Sequence, residues 1–194
     1  MNQATDTASE SSNWNRGRVG MASLILAETS FFAVFLVAYL FYIGRSLAGP
    51  YPADVLEFPF LATLCLLSSS VTIVWATRQL ERGQRSPFAA GLFATIGLGG
   101  AFIGFTAIEW HGLIFEHNLT VTTNLFGTTF YSLVGFHAAH VLIGLSLLTG
   151  VLMLTLRGHV GPEHAERVEL LSWYWHFVDV VWLAVMTVVY IVGV

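Results

Sequence analysis

The sequence predicts an all-α integral membrane protein that crosses the bilayer as a bundle of five helices. Of its 194 residues, 55% are hydrophobic and only 10% are charged, whereas soluble domains carry roughly 25% charged residues. Five apolar runs each reach the roughly 20 residues that a helix needs to cross about 30 Å of hydrocarbon. The runs lack the short, strict alternation of β-barrel strands. We therefore expect one transmembrane domain.

The apolar runs place the five helices at residues 19–44, 58–77, 88–111, 128–156 and 168–193. Residues 1–17 are polar and rich in Ser and Thr, so this tail is expected to be disordered and the transmembrane domain to cover residues 18–194. A cleaved signal peptide is the alternative. It is disfavoured because the first apolar run is too long and has no clear small-residue cleavage site.

Turn-forming residues separate the runs. The first loop, "SLAGPYPAD", contains Pro50 and Pro52, and the loop "RQLERGQRSP" ends in Ser86 and Pro87, which suits the start of a helix. The last loop, "RGHVGPEHAER", contains two glycines and a proline. Each loop is therefore a plausible helix boundary.

The arginines predict the orientation. All eight Lys or Arg residues are Arg. On the five-helix map, Arg45 lies alone on one side of the membrane. The other side carries the remaining seven, which are Arg16, Arg18, Arg78, Arg82, Arg85, Arg157 and Arg167. Because cytoplasmic segments are enriched in Arg, we expect a cytoplasmic N-terminus and a periplasmic C-terminus.

Six ionisable residues stand out inside the apolar runs, where a charged group is costly and faces protein, water or a headgroup. They are Glu28, Glu109, His137, His140, His176 and Asp179. At about 1.5 Å of rise per residue, Glu28 and His176 are expected at similar depth, roughly 15 Å from the cytoplasmic edge. An apolar environment disfavours the charged carboxylate, so we expect a protonated Glu28 with His176 as its partner.

Three interpretations compete for these residues. His137 and His140 lie three residues apart on one helix face, and neutral imidazole is a common ligand for metal or haem. Ligation is disfavoured because His140 and His176 are expected at depths about 10 Å apart and no three-ligand cluster is apparent. A proton or ion pathway through Glu28, His176 and Asp179 is the second interpretation. Structural hydrogen bonds and contacts with lipid headgroups are the favoured one.

Small residues predict close helix contacts. Gly100 and Gly104 form a small-xxx-small motif with Gly97 one turn earlier, and such faces let helices approach closely in lipid. The single cysteine, Cys65, excludes a disulfide framework. The composition also excludes binding of nucleic acid.

Four segments resemble the subunit III family of haem–copper oxidases. "WYWHFVDVVW" (173–182) is similar to the last helix of that family, and "GTTFYSLVGFHAAHVLIG" (127–144) is similar to its penultimate helix and approach loop. "ILAETSFF" (25–32) resembles the helix with the family's buried, carbodiimide-reactive carboxylate, which falls on Glu28. "AIEWHGLIFE" (107–116) resembles the Glu-plus-aromatic end of the family helix that precedes the penultimate one, and Glu109 falls in register with the glutamate of that helix. The matches run in order over residues 18–194.

The resemblance implies a five-helix, non-catalytic subunit of a proton-pumping terminal oxidase in a bacterial inner membrane. It implies a chain without catalytic or metal-ligating residues, with haem and copper in partner subunits and phospholipids bound in a cleft. Its expected partners are the catalytic subunit I, subunit II and, in some complexes, a larger respiratory supercomplex. The polar residues that shape the cleft would be Glu109, His137, His140, Trp173, Trp175, His176 and Asp179.

The resemblance leaves the type of oxidase open. Glu28 and "WYWHFVDVVW" favour cytochrome c oxidase, whereas "LEFPF" (56–60) favours a quinol oxidase, and an accessory subunit of nitric oxide reductase is a third option. A stand-alone transporter is the alternative from another functional class. It is disfavoured because the sequence shows no convincing inverted repeat or pair of broken helices.

Overall fold

The structure, a computed structural model, describes residues 16–47 and 49–194. The predicted disordered tail, residues 1–17, lies outside the described residues except for Arg16 and Gly17. The helices are α1 (Gln3–Tyr42, described from residue 16), α2 (Pro52–Val55), α3 (Phe60–Glu81), α4 (Arg85–Phe115), α5 (Leu125–Leu156) and α6 (Ala165–Met186). A 3₁₀ turn, Pro162–His164, precedes α6, and a π-helical turn, Thr187–Val192, extends it.

Five helices of the described chain are long and apolar enough to cross a membrane, and the described residues include no strand. The predicted fold class is therefore confirmed. The spans α3, α4, α5 and the one containing α6 extend beyond the predicted runs, because hydropathy marks the hydrocarbon core whereas helices continue into the polar interface. The short helix α2 was not predicted from the sequence. It begins at Pro52, whose fixed φ suits the first helical turn.

Helix α6 lies at the centre of the bundle, with α1, α3 and α5 packed around it. Helix α4 pairs with α3 along most of its length and also contacts α5. The most apolar part of the span that contains α6 has half of its residues buried inside the bundle. The most apolar part of the α1 span has only 11% of its residues buried. Helix α1 is therefore peripheral and leaves most of its surface for lipid or a partner.

The indole of Trp175 fills the space between α4, α5 and α6, and two glycines make room for it. A Cβ atom on Gly144 would lie 2.7 Å from the indole Cζ3 atom, and one on Gly99 would lie 2.9 Å from Cη2. Both distances are shorter than van der Waals contact, and Trp175 is fully buried. These two glycines are therefore required by packing.

The predicted contact face at Gly97, Gly100 and Gly104 makes no such contact within the chain. A Cβ atom on any of the three would meet no described atom within 4 Å. The prediction of close packing there is wrong for this chain by itself. A small-xxx-small motif identifies a smooth helix face, but it does not determine what covers that face.

The helix ends and loops that carry seven of the eight arginines lie together at one end of the bundle, where contacts between segments join them. Arg18 in α1 lies 3.8 Å from Glu166 and 3.4 Å from Glu169 of α6. Arg85 at the start of α4 donates to the carbonyl of Gly158 at 3.4 Å. The orientation prediction requires these arginines to lie at the same end of the bundle.

Candidate functional site

Polar residues from four helices lie at the same level in the middle of the bundle. Glu28, Ser70, His140 and His176 are each within two residues of the midpoint of their membrane span, which corresponds to about 3 Å along a helix. The expected separation of about 10 Å between His140 and His176 is therefore wrong. The prediction measured depth from residue 168, whereas the span begins at Pro162, which moves His176 deeper.

Glu28 pairs with His140, and the predicted pairing with His176 is wrong. Glu28 Oε2 lies 3.2 Å from His140 Nε2, and 29% of the Glu28 side chain is exposed against 13% for His140. Both histidines lie near the level of Glu28, and the rotation of α1 against α5 selects His140. Sequence reasoning estimated depth but had no measure of that rotation.

The hydrogen bonds of His140 fix how many protons the pair holds. Nδ1 lies 2.7 Å from the carbonyl oxygen of Phe136, which can only accept, so Nδ1 carries a hydrogen. Nε2 then either accepts from a protonated Glu28 carboxyl or, on a charged ring, donates to a carboxylate. In both arrangements one proton is shared and the pair has no net charge, which suits the middle of a bilayer.

Aromatic rings surround this pair. The ring of Phe32 meets the His140 imidazole edge-on with centroids 4.9 Å apart, and the rings of Phe31 and Phe136 pack at 5.2 Å. Tyr174 of α6 donates a hydrogen bond to the backbone carbonyl of His140 at 3.1 Å. The pair therefore links α1 to α5 at a point where α5 is also fixed to α6.

A second polar cluster links α3 to α6. The Ser70 hydroxyl donates to Asp179 Oδ2 and lies 2.8 Å from His176 Nδ1, while Ser172 Oγ lies 3.2 Å from His176 Nε2. Because Ser70 has one hydrogen and donates it to Asp179, a neutral His176 ring that bonds to both serines donates from Nδ1 to Ser70 and accepts from Ser172 at Nε2. Ser70 therefore bridges His176 and Asp179.

Sequence reasoning missed the two serines as partners. Ser172 precedes His176 by four residues on a helix, a spacing that places both side chains on one face, so the signal was present. Ser70 belongs to a different helix, and a single sequence does not specify the register of that helix against α6. Asp179 is 4% exposed, and its Oδ1 has no hydrogen-bond partner among the described residues.

The two tryptophans predicted at the cleft have different environments. Trp175 is fully buried and its Nε1 donates to Ser69 Oγ at 2.8 Å. It therefore belongs to the bundle interior and not to a cleft wall. Trp173 is 37% exposed and is available to lipid or to a partner.

His137 is fully buried and does not converge with His140. Its ring stacks on Trp182 with centroids 5.1 Å apart and meets Phe102 edge-on at 5.6 Å. Neither ring nitrogen has a hydrogen-bond partner within the described residues. In residues 16–47 and 49–194, no group of three or more His, Cys, Asp or Glu side chains is placed to hold a metal ion.

Glu109 lies near the opposite end of the bundle from most of the arginines. Its Oε1 accepts a hydrogen bond from Tyr190 Oη at 2.8 Å, a partner that sequence reasoning missed. Glu109 also lines a cavity of about 470 Å³ between the α2–α3 linker and the end of α4, together with Glu57 and Glu116. The structure therefore places Glu109 apart from the polar residues in the middle of the bundle.

Comparison with known proteins assigns the chain to a family. A family model described as cytochrome c oxidase subunit III matches residues 5–194. The chain is 37% identical over 185 residues to cytochrome c oxidase subunit 3 of Dugong dugon, covering 89% of this chain and 68% of that protein.

Relatives in other lineages give similar figures. Cytochrome c oxidase subunit 3 of the bacterium Alkalihalophilus pseudofirmus is 36% identical over 169 residues, which cover 86% of this chain and 82% of the relative. The protein of the same name from Gallus gallus is 36% identical over 178 residues, with coverage of 86% and 66%. The chain, a five-helix membrane protein, therefore belongs to the cytochrome c oxidase subunit III family.

Proposed function

We propose that the chain is the non-catalytic subunit III of a proton-pumping haem–copper terminal oxidase of the cytochrome c oxidase type. The observation that carries this proposal is the family match over residues 5–194. The chain would assemble with catalytic subunit I and with subunit II, which hold the haem and copper. It would lie in the bacterial inner membrane with its N-terminus in the cytoplasm, as the arginine distribution predicts.

The hydrogen bonding of the mid-bilayer residues supports a structural role. Both ring nitrogens of His140 and both of His176 are engaged by protein groups. These bonds connect α1 to α5 and α3 to α6, so the polar residues connect helices that apolar contacts alone would hold less specifically. A scaffold that supports the catalytic subunit requires such fixed helix positions.

Glu28 is the residue through which the chain would influence lipid packing or proton uptake. Among the residues that the structure describes, it is the one carboxyl group at the bilayer middle that is partly exposed, and it borders a surface of phenylalanines. We propose that it is the carbodiimide-reactive acid of this chain and that phospholipid contacts this surface. It would adjust lipid packing or proton delivery beside the catalytic subunit without taking part in oxygen reduction.

Purification tests the proposal. An affinity-tagged chain, extracted from its native membrane in mild detergent, should carry a larger haem-bearing protein with it. The chain dissociated from that complex and refolded should show no Soret band and no stoichiometric metal. A folded chain with one haem of its own, or one that purifies without any haem-bearing protein, would contradict the proposal.

A further inference from the structure

A cavity of about 470 Å³ opens at the end of the bundle opposite most of the arginines, between the α2–α3 linker and the end of α4. Its walls are largely apolar, and the wall residues Phe58, Phe60 and Ile108 are each more than half exposed. Phe60 and Ile108 belong to membrane spans, so the cavity reaches from the membrane surface towards the hydrocarbon. We call it the glutamate cavity, because three glutamates also line it.

The three glutamates give the cavity a negative charge. Glu57 lies in the linker before α3, Glu116 directly follows α4, and Glu109 lies about two turns deeper in α4. Glu57 and Glu109 are close enough for their like charges to repel each other. Of the described residues, no Lys or Arg lines the cavity. Arg45, the arginine predicted on this side of the membrane, lies over the ring of Phe41 at the end of α1, with Cζ 4.2 Å from the ring centroid.

Apolar walls with carboxylates at two depths match a long side chain that ends in a cation. Lys and Arg pack their methylene stems on apolar surface while the charged head reaches polar groups. An Arg head can also bind a carboxylate through two hydrogen bonds and stack on an aromatic ring such as that of Phe58. The cavity therefore has a partner for each part of such a side chain.

Other cations fit the glutamate cavity less well. In residues 16–47 and 49–194, no group of three or more His, Cys, Asp or Glu side chains is placed to hold a metal ion. A phospholipid carries a phosphate beside any ammonium group, and the three carboxylates would repel that phosphate. A Lys or Arg side chain brings the positive charge without an attached anion.

We propose that the glutamate cavity receives a Lys or Arg side chain from an apolar segment of a partner protein, at the membrane surface opposite the arginine-rich end. Basic residues are scarce on that side of membrane proteins, so the contact would select one segment among many apolar ones. The proposal specifies the chemistry of the partner segment. It goes beyond the proposed function and does not depend on it.

Site-specific photo-cross-linking identifies the occupant. A benzophenone amino acid is placed at Ile108 in the cavity wall or, as the matched control, at Leu125, which is 40% exposed at the same end of the bundle but does not line the cavity. The tagged chain is irradiated in its native membrane. We expect a protein adduct from position 108 only, mapped within about one helical turn of a Lys or Arg of the partner. Lipid adducts alone, a partner segment without a basic residue, or an adduct with a second copy of this chain would overturn the proposal.

Charge removal tests whether the glutamates hold the partner. Replacing Glu57 and Glu116 together by glutamine should lower the yield of the adduct from position 108 about tenfold, through loss of charge-assisted hydrogen bonds. Asp54→Asn should leave the yield unchanged, because Asp54 is an exposed acid of the same end that does not line the cavity. Equal yields from the two variants would overturn the proposal.

The double variant should melt like the parent chain, because both glutamates are exposed. If it proves less stable, the parent chain irradiated in high salt provides the same test, since salt screens exposed charges. The adduct from position 108 should then decrease, whereas a yield that does not change with salt would contradict the proposal. None of these results depends on which protein is cross-linked, so the proposed function is tested separately by the recovery of a haem-bearing protein.

Discussion

Replacing Gly144 with alanine should destabilise the bundle, whereas the same replacement at Gly150 in the same helix should not. A Cβ atom on Gly144 would lie 2.7 Å from Cζ3 and 2.8 Å from Cε3 of Trp175, while one on Gly150 would meet nothing within 4 Å. Trp175 is fully buried and donates a hydrogen bond to Ser69, so it cannot turn away freely.

The magnitude follows from two terms. Exchanging glycine for alanine inside a helix stabilises it by about 1 kcal/mol at most, and this term is common to both positions. Overpacking a well-packed core costs about 1–3 kcal/mol, and this term applies at Gly144 alone. The difference between the two variants therefore isolates the overpacking cost and should be about 1–3 kcal/mol.

Thermal unfolding of the purified variants in one detergent, followed by tryptophan fluorescence, measures this difference. On the scale of soluble proteins of this size, it corresponds to about 2–4 °C in melting temperature per kcal/mol. Adding Trp175→Phe should remove most of the penalty, which a double-mutant cycle would show as coupling between the two sites. Equal stability of Gly144→Ala and Gly150→Ala would refute the packing described for Trp175.

The other predictions concern hydrogen bonding and orientation. Glu28→Gln should assemble with normal haem spectra, because the amide can still donate to the Nε2 of its histidine partner, but carbodiimide labelling of the subunit should vanish; an assembled complex that no longer reduces oxygen would contradict this. Tyr190→Phe removes the donor to Glu109 and should lower the free energy of unfolding by about 1–3 kcal/mol, with an unchanged melting curve as the contrary result. A cysteine at Gln84 should react with a membrane-impermeant reagent only from the cytoplasm and one at His117 only from outside; labelling of both from one side would overturn the five-helix map.

Hydropathy predicted the five spans because transfer of side chains into hydrocarbon depends on composition along the chain. The same property explains the errors at helix ends, where residues such as Arg85 are polar and still helical. The polar residues inside the runs could be recognised from the sequence, since their cost in lipid makes them conspicuous there.

The pairing of those residues could not be predicted. Whether Glu28 meets His140 or His176 depends on how α1 is rotated against α5 and α6, and a single sequence carries no measure of that rotation. The same limit applies to the glycines, because Gly99 packs against Trp175 while its neighbour Gly100 faces outward. In contrast, the Ser172–His176 bond lies within one helix and was predictable from its four-residue spacing.

The time course of oxygen reduction by the oxidase with and without this subunit tests the central claim most directly. If the chain is a supporting, non-catalytic subunit, the depleted complex should keep its haem spectrum and begin turnover at a rate close to that of the intact complex. Its activity should then decay early, and rebinding the subunit beforehand should prevent the decay. A depleted complex with an intact haem spectrum and no oxygen reduction from the start would contradict the claim, because the subunit would then supply an obligatory part of the catalytic path.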